Sequence, residues 1–254
     1  MTRLGFVGTG TITAHVLRGL KASDLSDWPV LLSPRNAGIA AVLAASLPGV
    51  TVAADNQAVV DGADLVVLAV RPQVAEAVVR PLRFRPGQRI ISLIAGLPIA
   101  TIRDWTGVAQ VTRAIPLPFV EDRRDATPVF PPDPEAMALF DALGRALPVQ
   151  DAGAFDVYAA SSALMGTYFG VVEEAARWAE DKGLPEADAR AYLASLFSNL
   201  GEVLRHSTAS LPDLRDAHST KGGLNEQVFA EFVAHGGAAA LAAGLDSVLA
   251  RLRR

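Results

Sequence analysis

Two glycines separated by a single residue begin the first helical pattern of the chain. The run Gly8–Thr13, GTGTIT, directly follows the apolar segment Leu4–Val7, which is typical of a strand. At such a junction the first glycine permits a tight turn, and the second lets the backbone approach a pyrophosphate that sits on the free amides of the helix. The pattern predicts a dinucleotide-binding turn formed by Gly8, Thr9, Gly10, Thr11 and Ile12.

A third glycine of the full fingerprint is missing. Thr13 stands in its place, so we expect the first helix and the first strand to pack slightly farther apart than in a G-x-G-x-x-G protein. A G-x-G pair alone also occurs in turns that bind nothing. Its position at the first junction of a repeating strand–helix pattern favours the dinucleotide site.

The residues after the second predicted strand indicate which dinucleotide binds. In NAD-binding proteins an acidic residue at this point hydrogen-bonds the ribose, but this chain has Ser33-Pro34-Arg35-Asn36. The guanidinium of Arg35 suits a 2′-phosphate in charge and geometry, and Ser33 and Asn36 can donate hydrogen bonds. The segment therefore predicts NADP(H). The alternative is that Arg35 is a solvated loop arginine.

Two more segments lie at the ends of predicted strands. Ala69-Val70-Arg71-Pro72-Gln73 lies at the end of the fourth strand, and Ser92-Leu93-Ile94-Ala95-Gly96 lies at the end of the fifth. The carboxyl ends of parallel strands form the ligand-binding edge of an open α/β sheet, so we expect both segments to line the nicotinamide half of the site. The alternative is that Pro72 only begins a helix and Gly96 only ends a strand.

The elements of the first half must position these turns. Up to about residue 114, strand-type runs alternate with helical patterns, which predicts a Rossmann-like, doubly wound parallel sheet. The predicted strands are Leu4–Val7, Val30–Ser33, Val50–Ala53, Leu65–Val70, Ile90–Leu93 and Gln110–Thr112, and the predicted helices are Ile12–Ala22, Ala37–Ser46, Gln57–Asp61 and Gln73–Val79. Six prolines in residues 115–134 predict a meandering segment around a short extended piece, and a helix over Glu135–Leu147 then closes the domain.

The second half is different in character. From Asp156 onward strand-type runs are absent, and alanine-rich helical patterns cover Tyr158–Lys182, Glu186–His206, Gln227–His235 and Ala238–Arg251. The sequence therefore predicts two domains, a dinucleotide-binding domain over residues 1–152 and an all-helical domain over residues 153–254. Because the helix over Glu186–His206 carries apolar residues on more than one face, we expect the helical domain to pack against another subunit.

Composition excludes several classes of function. The 254 residues carry a net charge of −4 and no basic run, which argues against a nucleic-acid partner. There is no cysteine and the four histidines lack ligand spacing, so we expect neither disulfides nor a metal site. Without a signal-peptide pattern or a stretch of about 18 apolar residues, we expect a soluble cytoplasmic protein that does not enter a membrane.

Several segments in order resemble the pyrroline-5-carboxylate reductases, which reduce a cyclic imine to proline with NAD(P)H. The similarity runs over nearly the whole chain, through FVGTGTITAHVLRGL, SPRN, DLVVLAVRPQ, SLIAGLP, TRAIP, EEAARWAEDKGLP and LRDAHSTKGG. The pairing of LAVRPQ with the late LRD…GG loop makes it specific. The resemblance implies NADP(H) as cofactor with Pro116 among its contacts, and helical domains that interlock into a homodimer or a higher homo-oligomer.

The resemblance also implies substrate contacts in the late loop. By position, Thr220, Gly222 and Gly223 would bind the substrate carboxylate, and Asn225 stands where the family has a threonine that faces the substrate nitrogen. Asn225 and Thr220 are therefore the implied catalytic pair. A glycine pair before a helix also exposes N–H groups that suit an anion on physical grounds alone. Lys221, beside this pair, either holds the same carboxylate or is a solvated loop lysine.

Departures from the family gather on the substrate side. Lys221 replaces the family's proline, and Leu224 and Asn225 replace two threonines. The segment Arg113–Pro118 lacks the adjacent asparagine and threonine of the family's R-x-M-P-N-T-P stretch. The segment Ser162–Tyr168 stands where the family has SGSGPAY. These changes predict a substrate that can differ from pyrroline-5-carboxylate, and a more apolar pocket formed by Leu117, Leu164, Met165 and Leu224.

The sequence thus predicts an NADPH-dependent reductase that transfers hydride to the C=N bond of a small cyclic imine bearing a carboxylate. An imine suits a site without an obvious acid, because it can enter already protonated. Two alternatives stay open. One is a β-hydroxyacid dehydrogenase-like oxidoreductase, although neither Lys182 nor Lys221 fits the helical lysine of that family. The other is a non-catalytic NADP(H)-binding sensor.

Overall fold

The computed structural model describes residues 1–253 and divides them into two compact units. The first unit contains Met1–Ala159 together with Leu252 and Arg253, and the second contains Ala160–Arg251. Strands occur in the first unit, whereas the described elements of the second are helices.

The first unit is built on a single eight-stranded sheet. Its strands are β1 (Leu4–Val7), β2 (Val30–Leu32), β3 (Val50–Val52), β4 (Leu65–Leu68), β5 (Arg89–Ser92), β6 (Gln110–Ala114), β7 (Asp125–Phe130) and β8 (Gly144–Pro148). The order across the sheet is β3-β2-β1-β4-β5-β6-β7-β8; β1 to β6 are parallel, β7 is antiparallel to β6, and β8 is parallel to β7. The strand order reverses between β1 and β4, the point at which open α/β sheets bind ligands.

Helices cover both faces of this sheet. They are α1 (Thr11–Lys21), α2 (Ala37–Ser46), α3 (Asn56–Gly62), α4 (Pro72–Val79), α5 (Ile99–Thr106) and α6 (Pro134–Ala142). α1, α2 and α6 pack on one face, around Phe6 and Phe140, and α3, α4 and α5 pack on the other, around Val66 and Ile90. Because both faces are covered, the four residues of β4 are all apolar and buried. The predicted fold class, a Rossmann-like sheet followed by a helical region, is confirmed.

The second unit lacks a closed apolar core of its own. α7 (Ala152–Ser161) leads into it, and its further helices are α8 (Leu164–Asp181), α9 (Glu186–His206), α10 (Leu211–Ala217), α11 (Leu224–Ala234) and α12 (Gly237–Leu252). Among its described residues only Ala160, Ala179 and Ala189 are buried. Large apolar side chains are exposed instead, 81% at Leu224 and 70% at Val228.

The predicted helix Glu135–Leu147 is wrong in its second half. α6 ends at Ala142, and β8 begins two residues later. Gly144 has φ of 140°, and a Cβ there would overlap the backbone of Asp125 in β7. The glycine therefore stops the helix and lets the chain pair closely with β7, which a helical pattern of apolar residues does not reveal.

The predicted helix Tyr158–Lys182 is in fact two helices. α7 and α8 are separated by Ser162 and Ala163, at a tight turn in which the Ala163 N–H donates to the Ala160 carbonyl. Sequence patterns also failed to indicate α5 and α10. The start of α10 does have a sequence signal, an N-cap serine: the Ser210 hydroxyl accepts from the Asp213 N–H at 3.2 Å.

Candidate functional site

The turn between β1 and α1 requires a glycine. Gly8 has φ of 109°, and a Cβ at this position would overlap the carbonyl of Ala69, which follows β4. β1 and β4 are hydrogen-bonded neighbours, with Val7 opposite Leu68. The loops that follow these two strands therefore lie side by side at the carboxyl edge of the sheet.

Ser33 supports this turn from behind. Its side chain is fully buried; its hydroxyl accepts from the Gly8 N–H at 2.9 Å, and the Thr9 hydroxyl donates to its carbonyl at 2.8 Å. Asn36, in the left-handed conformation at the start of α2, donates from its side-chain amide to the Thr9 carbonyl at 3.1 Å. Contrary to the expectation of a direct ligand contact, Ser33 holds two loops together and does not reach an open surface.

Thr13 is accommodated in the place of the third glycine by a hydrogen bond. Its side chain is fully buried between α1 and the turn, and its hydroxyl donates to the Gly8 carbonyl at 2.8 Å. The buried hydroxyl is therefore satisfied by the turn itself. Thr13, which stands where the third glycine would be, therefore adds a contact that fixes the turn.

The N-terminus of α1 has donors without a side-chain acceptor. Gly10 is the N-cap residue and supplies no cap, and the first turn contains no acidic residue. By contrast, the Asp55 carboxylate caps α3 by accepting from the Ala58 N–H at 2.7 Å. A Cβ at Gly10 would meet no atom within 4 Å, so the approach to α1 is open. Free amides at the positive end of a helix suit a phosphate group.

This turn opens onto a cavity of about 660 Å³ in the first unit. The lining comes from the loops after β1, β2, β4 and β5, and comprises Gly8, Thr9, Gly10, Thr11, Ile12, Arg35, Asn36, Ala69, Val70, Arg71, Pro72, Val74, Leu93 and Ala95. All of these except Val74 belong to the segments predicted to bind the cofactor. Leu93 directly follows β5 and is part of the segment predicted to line the nicotinamide half.

Three predicted cofactor residues do not line this cavity. Ser33 lies behind the turn, Gly96 is exposed outside the lining, and Pro116 is buried. Gly96 has φ of 68°, which accounts for a glycine there without any ligand. The alternative given for Gly96, that it only ends a strand, is enough to explain why a glycine stands there.

Two guanidinium groups and no carboxylate line the cavity. Arg35 and Arg71 are exposed, and within residues 1–253 neither side chain forms an ion pair or hydrogen bond with the protein. A guanidinium can engage two oxygens of a phosphate at once. The electrostatics of the lining therefore favour an anionic ligand.

The TRAIP segment is held by buried charged groups. The guanidinium of Arg113, at 8% exposure, lies 4.5 Å from the ring of Phe155 and 3.5 Å from the Asp156 carboxylate. Burial lowers the pKa of Arg113, against the opposing effect of Asp156. The buried Asp125 carboxylate accepts from the Leu117 N–H at 3.1 Å, so the backbone after Pro116 has a fixed position. The sequence patterns did not single out Asp125.

A charged pair ties α1 to the turn that follows this segment. The Glu121 carboxylate is hydrogen-bonded to the His15 ring and lies 3.3 Å from the Arg18 guanidinium. The His15 hydrogen bond, and then Arg18, lower the pKa of Glu121. A Cβ on Gly19 would overlap the carbonyl of Val120, so the two segments are also in close backbone contact.

The predicted anion-binding amides of the late loop already have acceptors. Gly222 has φ of 73°, and Gly223 is the N-cap residue of α11 in the second unit. The Gly222 N–H donates to the Glu226 carboxylate at 2.5 Å, and the Gly223 N–H donates to the Thr220 carbonyl at 2.7 Å. An incoming carboxylate would therefore have to displace Glu226 from the loop. No sequence pattern singled out Glu226.

The remaining predicted substrate residues of this loop are exposed. Thr220 and Lys221 are at the surface, and the side-chain amide of Asn225 donates to the His218 carbonyl at 2.6 Å. Thr220, Lys221 and Asn225 are thus gathered in one loop, with the amide donor of Asn225 directed back into it. Leu224 beside them is the most exposed of the predicted apolar residues.

In residues 1–253 no group of histidine, aspartate and glutamate side chains could hold a metal ion. No single helix in that range is long and apolar enough to cross a membrane, although α11 and α12, bent by 56°, would qualify together by length and composition.

Comparison with known proteins gives consistent matches. A family model described as "NADP oxidoreductase coenzyme F420-dependent" matches residues 3–96, and one described as "Pyrroline-5-carboxylate reductase dimerisation" matches residues 154–254. A pyrroline-5-carboxylate reductase of Pseudomonas aeruginosa is 28% identical over 245 residues, which cover 92% of this chain and 89% of that protein.

Solved structures show the same fold. That of a pyrroline-5-carboxylate reductase from Coxiella burnetii has a TM-score of 0.85 at 23% identity, covering 99% of this chain and 97% of that one. A pyrroline carboxylate reductase from Plasmodium falciparum, solved with NADP bound, has a TM-score of 0.82 at 14% identity, covering 99% and 97%. Similarity in sequence and in fold therefore extends over nearly the whole chain.

Proposed function

We propose that the chain is a member of the pyrroline-5-carboxylate reductase family and, from that premise, an NADPH-dependent reductase of the C=N bond of a small cyclic imine. The coarser class, an NAD(P)-dependent oxidoreductase, follows from the family.

One observation carries the proposal: the loops after β1, β2 and β4 converge on one cavity whose charged side chains are Arg35 and Arg71. The open N-terminus of α1 accommodates a pyrophosphate. Arg35, which follows β2 where NAD-binding proteins have an acid, can pair with a 2′-phosphate. The site therefore fits NADPH, and it favours NADPH over NADH.

The proposed reaction needs a hydride, which the cofactor supplies, and a proton on the imine nitrogen. When bound, the reduced nicotinamide supplies the hydride. An imine can enter already protonated, so a cavity that no carboxylate lines does not need to supply an acid. Asn225 is a poor acid, so its role is to orient the imine rather than to protonate it.

A single-turnover experiment tests the function. NADPH-loaded protein is mixed with 1-pyrroline, and the absorbance of the reduced nicotinamide is followed. We expect one equivalent of NADPH to be oxidised per site. If NADPH binds but no cyclic imine causes oxidation, the chain is a nucleotide-binding sensor. If 3-oxo acids but not imines cause oxidation, it acts as a β-hydroxyacid dehydrogenase.

We further propose that two copies associate through the helical unit. Three buried alanines cannot form a core for a unit of this size, whereas Phe169, Tyr192 and Val228 are each about 70% exposed. Burial of such side chains against another subunit is the usual way to stabilise apolar helices of this kind. Light scattering at micromolar concentration should give at least twice the chain mass of 26.6 kDa. A monomer would contradict the proposal.

A further inference from the structure

Arg35 lies on a short segment whose two ends are both bonded to the β1 turn. At one end, the hydroxyl of the buried Ser33 accepts from the Gly8 N–H at 2.9 Å. At the other end, the side-chain amide of Asn36 donates to the Thr9 carbonyl at 3.1 Å. Arg35 itself is exposed on the cavity lining between them. Its backbone is therefore held from both sides.

The side chain of Asn36 does not cap the helix that it begins. An asparagine at an N-cap commonly accepts a hydrogen bond from its own helix, but Asn36 forms no such bond in α2. The helix does start there, since the Ala40 N–H donates to the Asn36 carbonyl at 3.1 Å. Because a carbonyl can only accept, the nitrogen of the Asn36 amide must face Thr9. The side chain thus binds a loop that lies 27 positions earlier in the chain.

The backbone torsions of this segment are restricted as well. Asn36 has φ of 69° and ψ of 50°, in the left-handed region that asparagine adopts more readily than most residues. The ring of Pro34 fixes a second φ angle, directly before Arg35. Few torsions are therefore free between Ser33 and α2, and the Cα of Arg35 has a set position relative to the β1 turn.

This position matters because, under the proposed function, one ligand occupies both places. The pyrophosphate of NADPH binds at the β1 turn and its 2′-phosphate binds Arg35, so the covalent bonds of the cofactor fix the separation that the protein must match. If the segment could move, the guanidinium would reach the 2′-phosphate in only a fraction of its positions. The apparent affinity for NADPH would fall by that fraction.

We infer that Asn36 is a positioning residue for the cofactor preference: through its hydrogen bond to Thr9 it holds Arg35 where the guanidinium meets the 2′-phosphate. The inference rests on the proposed function, in which Arg35 selects NADPH. It replaces the expectation that Asn36 donates directly to the cofactor. The contribution of Asn36 to affinity then passes through Arg35 and is specific to NADPH.

The experiment is a double-mutant cycle that is measured with both cofactors. Asn36→Gly removes the amide, and glycine adopts a φ of 69° without strain. Kd values for NADPH and NADH are determined for Asn36→Gly, for Arg35→Ala and for the double variant. Gln57→Ala is the matched control, because the Gln57 amide donates to the Arg83 carbonyl at 2.9 Å and so links two segments of the first unit outside the cavity lining.

We expect Asn36→Gly to raise the Kd for NADPH by about three- to tenfold, the effect of one ordinary hydrogen bond, and to leave the Kd for NADH unchanged. In the Arg35→Ala background the same substitution should have no further effect on NADPH. Gln57→Ala should change neither Kd.

Three results would overturn the inference while leaving the role of Arg35 intact. Equal losses for both cofactors would mean that Asn36 supports only the β1 turn. Additive losses for NADPH in the double variant would mean that Asn36 contacts the cofactor itself, and an unchanged Kd for NADPH in Asn36→Gly would mean that the hydrogen bond does not position Arg35. If Arg35→Ala leaves the preference for NADPH unchanged, the proposed cofactor site is wrong, and the inference with it.

Discussion

Replacement of Arg35 by alanine tests the origin of the cofactor preference. Arg35 lies on the cavity lining, is exposed and has no side-chain partner within residues 1–253. Its removal therefore breaks no contact of the described protein, and the melting temperature should not change. Any loss of cofactor affinity can then be assigned to the contact with the ligand.

We expect Arg35→Ala to lose affinity for NADPH and to keep its affinity for NADH. A charge-assisted hydrogen bond contributes about 1.5–3 kcal/mol, and since Arg35 is exposed we expect the lower half of that range. Each 1.4 kcal/mol is about tenfold, so the Kd for NADPH should rise by about 12- to 40-fold. NADH, which lacks the 2′-phosphate, should bind Arg35→Ala as it binds the unsubstituted protein.

Fluorescence titration of both cofactors gives the two Kd values. Arg3→Ala is the control, since Arg3 precedes β1 and lies at the opposite edge of the sheet. The advantage of NADPH in the unsubstituted protein should also shrink with salt, because the screening length falls from about 10 Å at 0.1 M to about 3 Å at 1 M. Equal losses for NADH and NADPH would refute the assignment of Arg35 to the 2′-phosphate.

Three further variants probe the turn and its support, and a fourth probes the charged pair behind it. Gly10→Val should weaken both cofactors without lowering the melting temperature, because its side chain points into open space; a lowered melting temperature with intact binding would contradict this. Gly8→Ala should instead destabilise the fold by roughly 1–3 kcal/mol in denaturant titrations, given its φ of 109°. Thr13→Val should cost about 1–3 kcal/mol by the same assay, because the Gly8 carbonyl loses its buried donor. The pKa of Glu121 is lowered by His15, so the stabilisation is present above the ordinary value of 4.5 and is lost as the pH falls through the lower, folded value. Glu121→Gln should therefore melt below the unsubstituted protein at pH 7 and match it in strong acid; a constant difference across that range would argue against the linkage.

Sequence patterns located the ligand-binding edge because glycine turns and strand ends are local signals. The turn Gly8–Ile12 and the segment Ala69–Pro72 lie at the ends of strands with long apolar runs, and both line the cavity. α9 has the bounds, Glu186–His206, that the alanine-rich helical pattern indicated. These features depend on residues close together in the chain.

What the sequence did not reveal depends on contacts between distant residues. β8 exists because Gly144 packs against Asp125, and the partners lie 19 positions apart. The sequence predicted that Ser33 contacts the cofactor. In the structure its hydrogen bonds to the β1 turn hold it behind that turn. Glu226 was overlooked for another reason: the glycine pair alone suggested an empty nest, and only the helix geometry shows which acceptor reaches it.

The buried hydroxyl of Ser33 has a consequence for how fast and how favourably a ligand can bind. The β1 turn is held through Gly8 and Thr9 by hydrogen bonds within the protein, and Asn36 joins the next loop to it. A binding loop that is already ordered loses little conformational entropy when it is occupied. Association at this edge can therefore proceed as a single step, at a rate set by diffusion and by the field of the two arginines, without a slow phase in which the loop must first fold.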